Sequence, residues 1–504
     1  MKKIVRTRFA PSPTGFQHVG GIRTALFAYL TAKQAGGQFI LRLEDTDQKR
    51  KIEGSEQHLI DSLRTLGIDY DEGPDKPGEF GPYRQSERLD IYKKWAQKLI
   101  DAGRAYADPY SSAEVQAFRE QAQKDKKPFL YRNNRPENPP KWDGSTPLRL
   151  RSDPKIYQWH DEVMGDLKTG PEVIDDFILI KSDGFPTYNF AHIVDDAEMQ
   201  ITHIMRSQEF IASQPNYLNL YEALGVERPL IATLPPIMNE QGNKKLGKRD
   251  GAKDVLDYIK QGYLPEALIS FIATLGWNDG TEQEVFTTDE LIEKFSLDRV
   301  GKSGAHFDEK RLNWVNGHFI RSLTLDELYD LVSRHPERSD SEVEGSSQIS
   351  PQGRDDKTEG YWPVEAKDAN DSYKKQVLAL VQERMKYLAE LPELTSFFFK
   401  EPAADISLID NNKQLKKVEK SRLVELLELS KQNLEASDFS PEDIQNRLNQ
   451  LLEATGEKPA VLFSIIRIAT TWSPASPQLN ETLAVFGKEK TLERLKASIA
   501  LISI

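Results

Sequence analysis

The chain has 504 residues, 38% of them hydrophobic, and no cysteine. That length suits about three domains, the apolar content excludes wholesale disorder, and the lack of cysteine excludes disulfide scaffolds, thiolate zinc sites, iron–sulfur clusters and a cysteine nucleophile. A formal charge of −12, from 67 Lys and Arg against 79 Asp and Glu, argues against a cationic coat for nucleic acid but leaves room for local basic patches.

Lys3–Phe9 alternates basic and apolar residues and reads as a strand. It breaks at Ala10-Pro11-Ser12-Pro13-Thr14-Gly15, where two prolines fix φ and Gly15 allows a sharp turn. Gly21–Ala35 has helical periodicity with Ile22, Leu26, Tyr29 and Leu30 on one face, and Gly36-Gly37 stops it. Phe39–Leu43 reads as a second strand ending in Glu44-Asp45-Thr46-Asp47. The result is a βαβ unit whose ligand edge should lie at the carboxyl ends of its strands.

Residues 104–187 carry many prolines and charges with short strand-like pieces at Thr146–Leu150 and Phe177–Lys181, as expected of an insertion. Strand signals return at Gln200–Ile204 and Pro229–Leu234, and helical patterns dominate Lys253–Gly276. Ser333–Asp371 is polar and almost without apolar periodicity before Tyr361-Trp362, which predicts a linker or disordered insertion. From Ser372 the chain reads as helices, with Val377, Leu380 and Val381, then Leu388 and Leu391. No apolar run reaches the roughly 20 residues of a bilayer span, and no signal-peptide pattern opens the chain, so a cytoplasmic location is expected.

Two segments carry chemistry. In Arg8–Gly21 a strand end opens onto a helix N-terminus, whose N–H groups and dipole favour an anion. His18 in that turn can donate to a phosphate oxygen, although an ordinary turn with a capping histidine also fits. Lys244–Lys253 holds five cations, one anion and two glycines. Such a loop suits a polyphosphate whose charge rises in the transition state, or else is simply a solvated basic loop.

Taken together, the two segments suggest a family. His18-Val19-Gly20-Gly21 resembles the HIGH-type signature of class I aminoacyl-tRNA synthetases, and Lys245-Leu246-Gly247-Lys248-Arg249 resembles their KMSKS-type loop. Arg8–Leu26, Leu41–Asp47, Asp183–Phe190, Val194-Asp195-Asp196 through His203, Gly262–Ala267 with Leu275-Gly276-Trp277, and Phe486–Leu492 narrow the resemblance to bacterial-type glutamyl-tRNA synthetases.

That resemblance implies an α/β fold. A Rossmann-like catalytic domain (1–103 and 188–250) would carry an inserted α+β acceptor-binding domain (104–187). A stem-contact helical domain (251–332), a polar linker (333–371) and an all-α anticodon-binding domain (372–504) would follow. It implies ATP-dependent activation of L-glutamate and transfer to the terminal adenosine of tRNA(Glu), with Mg²⁺ accompanying ATP and a monomer expected. His18, Lys245 and Lys248 would act on the triphosphate, with Thr14, Gly15, Gly20 and Gly21 around the nucleotide. Arg8 with Tyr188 would take the side-chain carboxylate of glutamate and Arg206 its α-carboxylate. Glu44 with Ser12 would take the amine, with Ala10 and His192 alongside. Lys413, Lys416, Lys417, Lys420 and Arg422 could meet tRNA phosphates or form a solvated helix face.

Three departures stand out. Gly247 replaces the loop's usual serine, Arg206-Ser207-Gln208-Glu209 differs from the usual Arg-Gly-Glu-Glu-like string, and Gly103-Arg104-Ala105-Tyr106 leads into no cysteine knuckle, so no zinc is expected. The alternatives are an enzyme that also charges tRNA(Gln), a glutaminyl enzyme or a catalytically silent tRNA-binding paralogue. The long helical C-terminal part argues against the second, and retention of His18, Lys248 and the arginines against the third.

Overall fold

The structure is a computed structural model describing residues 4–50, 52–247, 253–334 and 360–503. It divides into two compact units, residues 1–258 with 265–312, and residues 259–264 with 313–504.

The described residues of the first unit contain eleven strands in chain order. They are β1 (Arg6–Phe9), β2 (Gln38–Leu41), β3 (Ala105–Ala107), β4 (Leu148–Leu150), β5 (Tyr157–Asp161), β6 (Gly165–Thr169), β7 (Ile178–Ile180), β8 (His203–Ser207), β9 (Leu230–Leu234), β10 (Ile237–Met238) and β11 (Ala305–His306). β2, β1, β8 and β9 form a parallel sheet in that order. The chain builds outward from β1 to β2, then returns to its other side at β8, so the order reverses between β1 and β8. Ligand crevices form outside the carboxyl ends at such a point.

All four residues of β1 are buried, as a sheet covered on both faces requires. The helix Val19–Gln34 joins β1 to β2, as its periodicity predicts, but more than one face is covered. It packs on the sheet on one side and on the helices Pro265–Ala273 and Thr288–Lys294 on the other. Ala25, Ala28 and Ala32 are buried beside the expected Ile22, Leu26 and Leu30 and permit that close packing. Gly37 follows because a Cβ there would collide with the Val5 carbonyl oxygen. Residues 104–187 hold an antiparallel sheet, β3-β4-β7, and the β5–β6 hairpin.

The described residues of the second unit form helices and turns without a strand. Val461, Leu462, Ile465, Ile466, Ile468 and Ala469 are the buried stripe of the helix Pro459–Thr471 at helical spacing. They join a core with Leu426, Leu427, Leu448, Leu483 and Leu495. Lys413, Lys416, Lys417 and Lys420 are exposed. Lys416 and Lys417 lie in a 3₁₀ turn at Leu415–Lys417, Lys413 precedes it and Lys420 opens the helix Lys420–Glu435, so the four do not share one helix face.

Part of the stretch 333–371, expected to be a linker, is folded. Residues 335–359 lie outside the described residues, but Gly360–Asn370 is folded. Trp362 is 6% exposed and Ala366 fully buried in a core with Leu328, Val332 and Leu378. The Tyr361 N–H donates to the Val332 carbonyl at 2.7 Å, and the Trp362 indole N–H to the Ser333 hydroxyl at 3.1 Å. Trp362→Ala is expected to destabilise this unit by about 3–5 kcal/mol. Urea unfolding of the full chain checks it, and an unchanged midpoint would restore the linker assignment. Among the described residues no helix is long and apolar enough to cross a membrane.

Candidate active site

A cavity of about 600 Å³ opens at the carboxyl ends of the parallel sheet. β1 runs into it through Arg8, Ala10 and Ser12, β2 through Glu44, β8 through Arg206 to Phe210, and β9 through Leu234, Pro235 and Pro236. Tyr188, His18, Gly20, Gly21 and Lys245 complete the wall that concerns the chemistry. Ten residues expected from sequence therefore share one cavity. Thr14 lines a neighbouring cavity that shares Ser12, Glu44 and Tyr188, whereas Gly15 lines neither.

One end of the cavity is built for an anion. His18 caps the helix Val19–Gln34 in extended conformation, and its Nδ1 accepts the Gly20 N–H at 3.0 Å. That bond leaves Nε2 as the protonated nitrogen of a neutral ring. Side chains at Gly20 and Gly21 would press on the rings and amides of His18 and Gln17, at 2.9 and 2.7 Å. Lys245 pairs with Glu209 at 3.3 Å, both side chains more than half exposed.

The basic loop is rooted on both sides of this end. Before it, the Leu246 N–H donates to Ile237 at 2.8 Å and Lys245 bridges Met238. After it, Asp254 bridges His18 itself, the Val255 N–H donates to Gln17 at 3.1 Å, and Asp254 pairs with His58 at 2.7 Å. Lys248 lies outside the described residues.

The other end is lined by buried charge. The Arg8 Nε and Nη2 donate to the two oxygens of Asp196 at 3.1 and 3.3 Å. Arg42 donates to Asp196 at 2.8 Å and to Glu44 at 3.1 Å. Arg88, Gln85 and Tyr92 donate to Asp195 at 2.7, 2.9 and 2.8 Å. Burial pushes the Asp196 carboxyl up, but Arg8 and Arg42 outweigh it and hold that carboxyl below the usual range. Glu44 goes the other way, since burial outweighs Arg42 and Arg8 and raises it to about 7.

Arg206 differs from Arg8. It is 5% exposed, and among the described residues none of its three guanidinium nitrogens has a hydrogen-bond partner. It lies against the rings of Tyr217 and Phe210 at 5.2 and 5.7 Å. A buried cation without a partner is expensive, so this group fits an anionic ligand. His192 is fully buried behind Tyr188, stacked on its ring at 4.7 Å. Its Nδ1 donates to the Tyr188 carbonyl at 2.8 Å, since a carbonyl can only accept, and among the described residues its Nε2 has no partner. Burial, then the charge of Arg206, lowers it to about 3, so the ring is neutral. Sequence reasoning assigned no role to Arg42, Asp195 and Asp196. An arginine between Leu41 and Leu43 in a buried strand, and a paired acid in an apolar helix, were the available signals.

Among the described residues no group of three or more His, Cys, Asp or Glu is placed to hold a metal ion.

The catalytic-domain family described as tRNA synthetases class I (E and Q) matches residues 4–314, and an anticodon binding domain family matches residues 356–499. A glutamate–tRNA ligase of Chlorobaculum parvum is 39% identical over 517 residues, covering 99% of this chain and 98% of that one. One of Bacillus licheniformis is 38% identical over 508 residues, covering 97% and 98%. A crystal structure of a glutamate tRNA ligase from Elizabethkingia meningosepticum, in complex with its amino acid, aligns with a TM-score of 0.80 at 30% identity, covering 99% of this chain and 100% of that one. With its parallel sheet, its helical second unit and this full-length likeness, the chain belongs to the class I tRNA synthetases, in the family of the glutamate–tRNA ligases.

Proposed function

We propose that this chain activates L-glutamate with MgATP and transfers it to the 3′-terminal adenosine of tRNA(Glu). The observation that carries this reading is a single cavity with a helix N-terminus and a lysine at one end, and two arginines with a carboxylate at the other.

The α-carboxylate of glutamate attacks the α-phosphorus of ATP, and pyrophosphate leaves with the electrons of the broken P–O bond. A ribose hydroxyl of the terminal adenosine, the 2′-OH in class I relatives, then attacks the activated carbonyl, and AMP leaves. Positioning and charge stabilisation carry both steps. The His18 Nε2–H donates to the triphosphate, aided by the dipole of the helix it caps and by Lys245, while Gly20 and Gly21 let the nucleotide approach the backbone closely. Lys248 is assigned there too, because the loop returns beside His18. Mg²⁺ belongs to the nucleotide substrate.

Arg8 and Tyr188 hold the side-chain carboxylate of glutamate, Arg206 its α-carboxylate, and Glu44 with Ser12 its ammonium. His192 backs Tyr188. The second cavity, with Lys49, Arg50 and Lys181 on its wall, shares Glu44 and Tyr188 and suits the approaching tRNA end. Residues 104–187 are assigned to the acceptor, 251–332 to the stem and the C-terminal helices to the anticodon loop. The enzyme is taken to act as a cytoplasmic monomer.

Charging of tRNA(Glu) and tRNA(Gln) transcripts with labelled glutamate tests the reading. Acceptance by tRNA(Glu) is expected, acceptance by tRNA(Gln) as well would define a non-discriminating enzyme, and failure with both would overturn the proposal.

The state of Glu44 sets a pH dependence. With its carboxyl raised to about 7 in the free protein, protons compete with the substrate ammonium below that pH. kcat/KM for glutamate is expected to be level above about pH 8 and to fall by about tenfold per unit below 7. A flat profile between pH 6 and 8 would remove Glu44 from this role.

A further inference from the structure

Arg42 is fully buried and cannot touch a substrate, yet it joins two groups that matter to the pocket. One arm of its fork donates to Asp196, whose oxygens also receive Arg8, and the other donates to Glu44. Arg8 and Glu44 both line the cavity, whereas Asp196 and Arg42 do not. The chain Arg8–Asp196–Arg42–Glu44 thus alternates in charge and spans from the carboxylate-binding arginine to the amine-binding acid. In a low-dielectric interior such neighbours are strongly coupled. A lysine would make this connection poorly, because its three donors share one nitrogen, whereas the guanidinium presents donors on separated arms.

We propose that Arg42 is a positioning residue whose single guanidinium aligns the ammonium-recognising and carboxylate-recognising ends of the glutamate pocket. This rests on the assignment of Glu44 and Arg8 to glutamate. Glu44 is faced by Arg8 from β1, by Arg42 from the same segment just beyond β2, by Tyr188 and Asp196 from the helix Tyr188–Glu198, and by Tyr217 from the helix Gln214–Leu224. Arg42 favours the Glu44 carboxylate and Asp196 opposes it. Disturbing these two residues should therefore move the titration of glutamate binding in opposite directions.

The test is the pH profile of kcat/KM for glutamate, from tRNA charging by the full-length enzyme, with KM for ATP as control. In Arg42→Lys the midpoint is expected to rise by about one unit, with kcat/KM at pH 7 about fivefold lower. In Asp196→Asn the midpoint is expected to fall by about one unit. KM for ATP should stay within about twofold in both, which general loosening of the fold would not produce. Midpoints that do not move, or that move in the same direction, would overturn the proposal. Should Arg42→Lys not fold, the direction of the Asp196→Asn shift decides alone. Glu44→Gln separates the two levels. If it leaves kcat/KM for glutamate unchanged, the assignment beneath fails. If it lowers kcat/KM while the other variants keep the wild-type midpoint, only the positioning role fails.

Discussion

Replacing Arg206 by methionine lowers kcat/KM for glutamate by about 10³-fold, because the substrate carboxylate then enters a buried site without its cation, a loss of roughly 4 kcal/mol. The same change leaves thermal stability equal or higher. In the free protein the guanidinium is buried with no hydrogen-bond partner among the described residues, and its removal relieves that cost. Most substitutions that impair an enzyme this severely at a buried position also destabilise it, so the opposite signs are diagnostic. Charging kinetics and a thermal melt check the pair. An unchanged kcat/KM for glutamate would mean that Arg206 meets no substrate. A large fall in melting temperature would mean that its surroundings hold it more favourably than its contacts indicate.

His18→Asn is the second large effect. Adenylate formation is expected to fall by about 10²–10³-fold with little change in melting temperature. Asparagine is among the best residues at a helix N-cap, so it replaces the bond that His18 Nδ1 makes to the Gly20 N–H. It is too short to put a donor where the imidazole Nε2–H reaches. His18→Ala should show the same kinetic loss with about 1 kcal/mol of lost stability in addition. Single-turnover adenylation with tRNA present measures the first quantity and denaturant unfolding the second. Near-wild-type turnover in His18→Asn would reduce His18 to a cap.

Local periodicity carried the front of the fold. A strand, a glycine-bearing turn, a helix and a strand predict β1 and β2 as parallel neighbours, and the carboxyl-end rule then places Ser12 and Glu44 at the cavity. Arg206 could be placed there because it ends a strand. Its lack of a partner could not be read, since that depends on side chains from several elements. The same limit hid Arg42 and Asp196. An arginine in a strand core looks unfavourable until an acid more than 150 positions away is brought to 2.8 Å. The helix Val19–Gln34 misled differently. Its alanines look neutral in sequence, yet their small size lets a second layer pack closely on its outer side. Trp362 and Ala366 were missed because a short apolar island in a polar run has no period to detect, and only the partners Leu328 and Val332 reveal it as core.

The hydrogen bond between Tyr361 and Val332 also bears on how this protein tolerates change. It fastens the chain just beyond residues 335–359 to the end of the helix Leu325–Ser333, so a proteolytic cut within 335–359 is expected to leave Tyr361 and Trp362 seated in the same core.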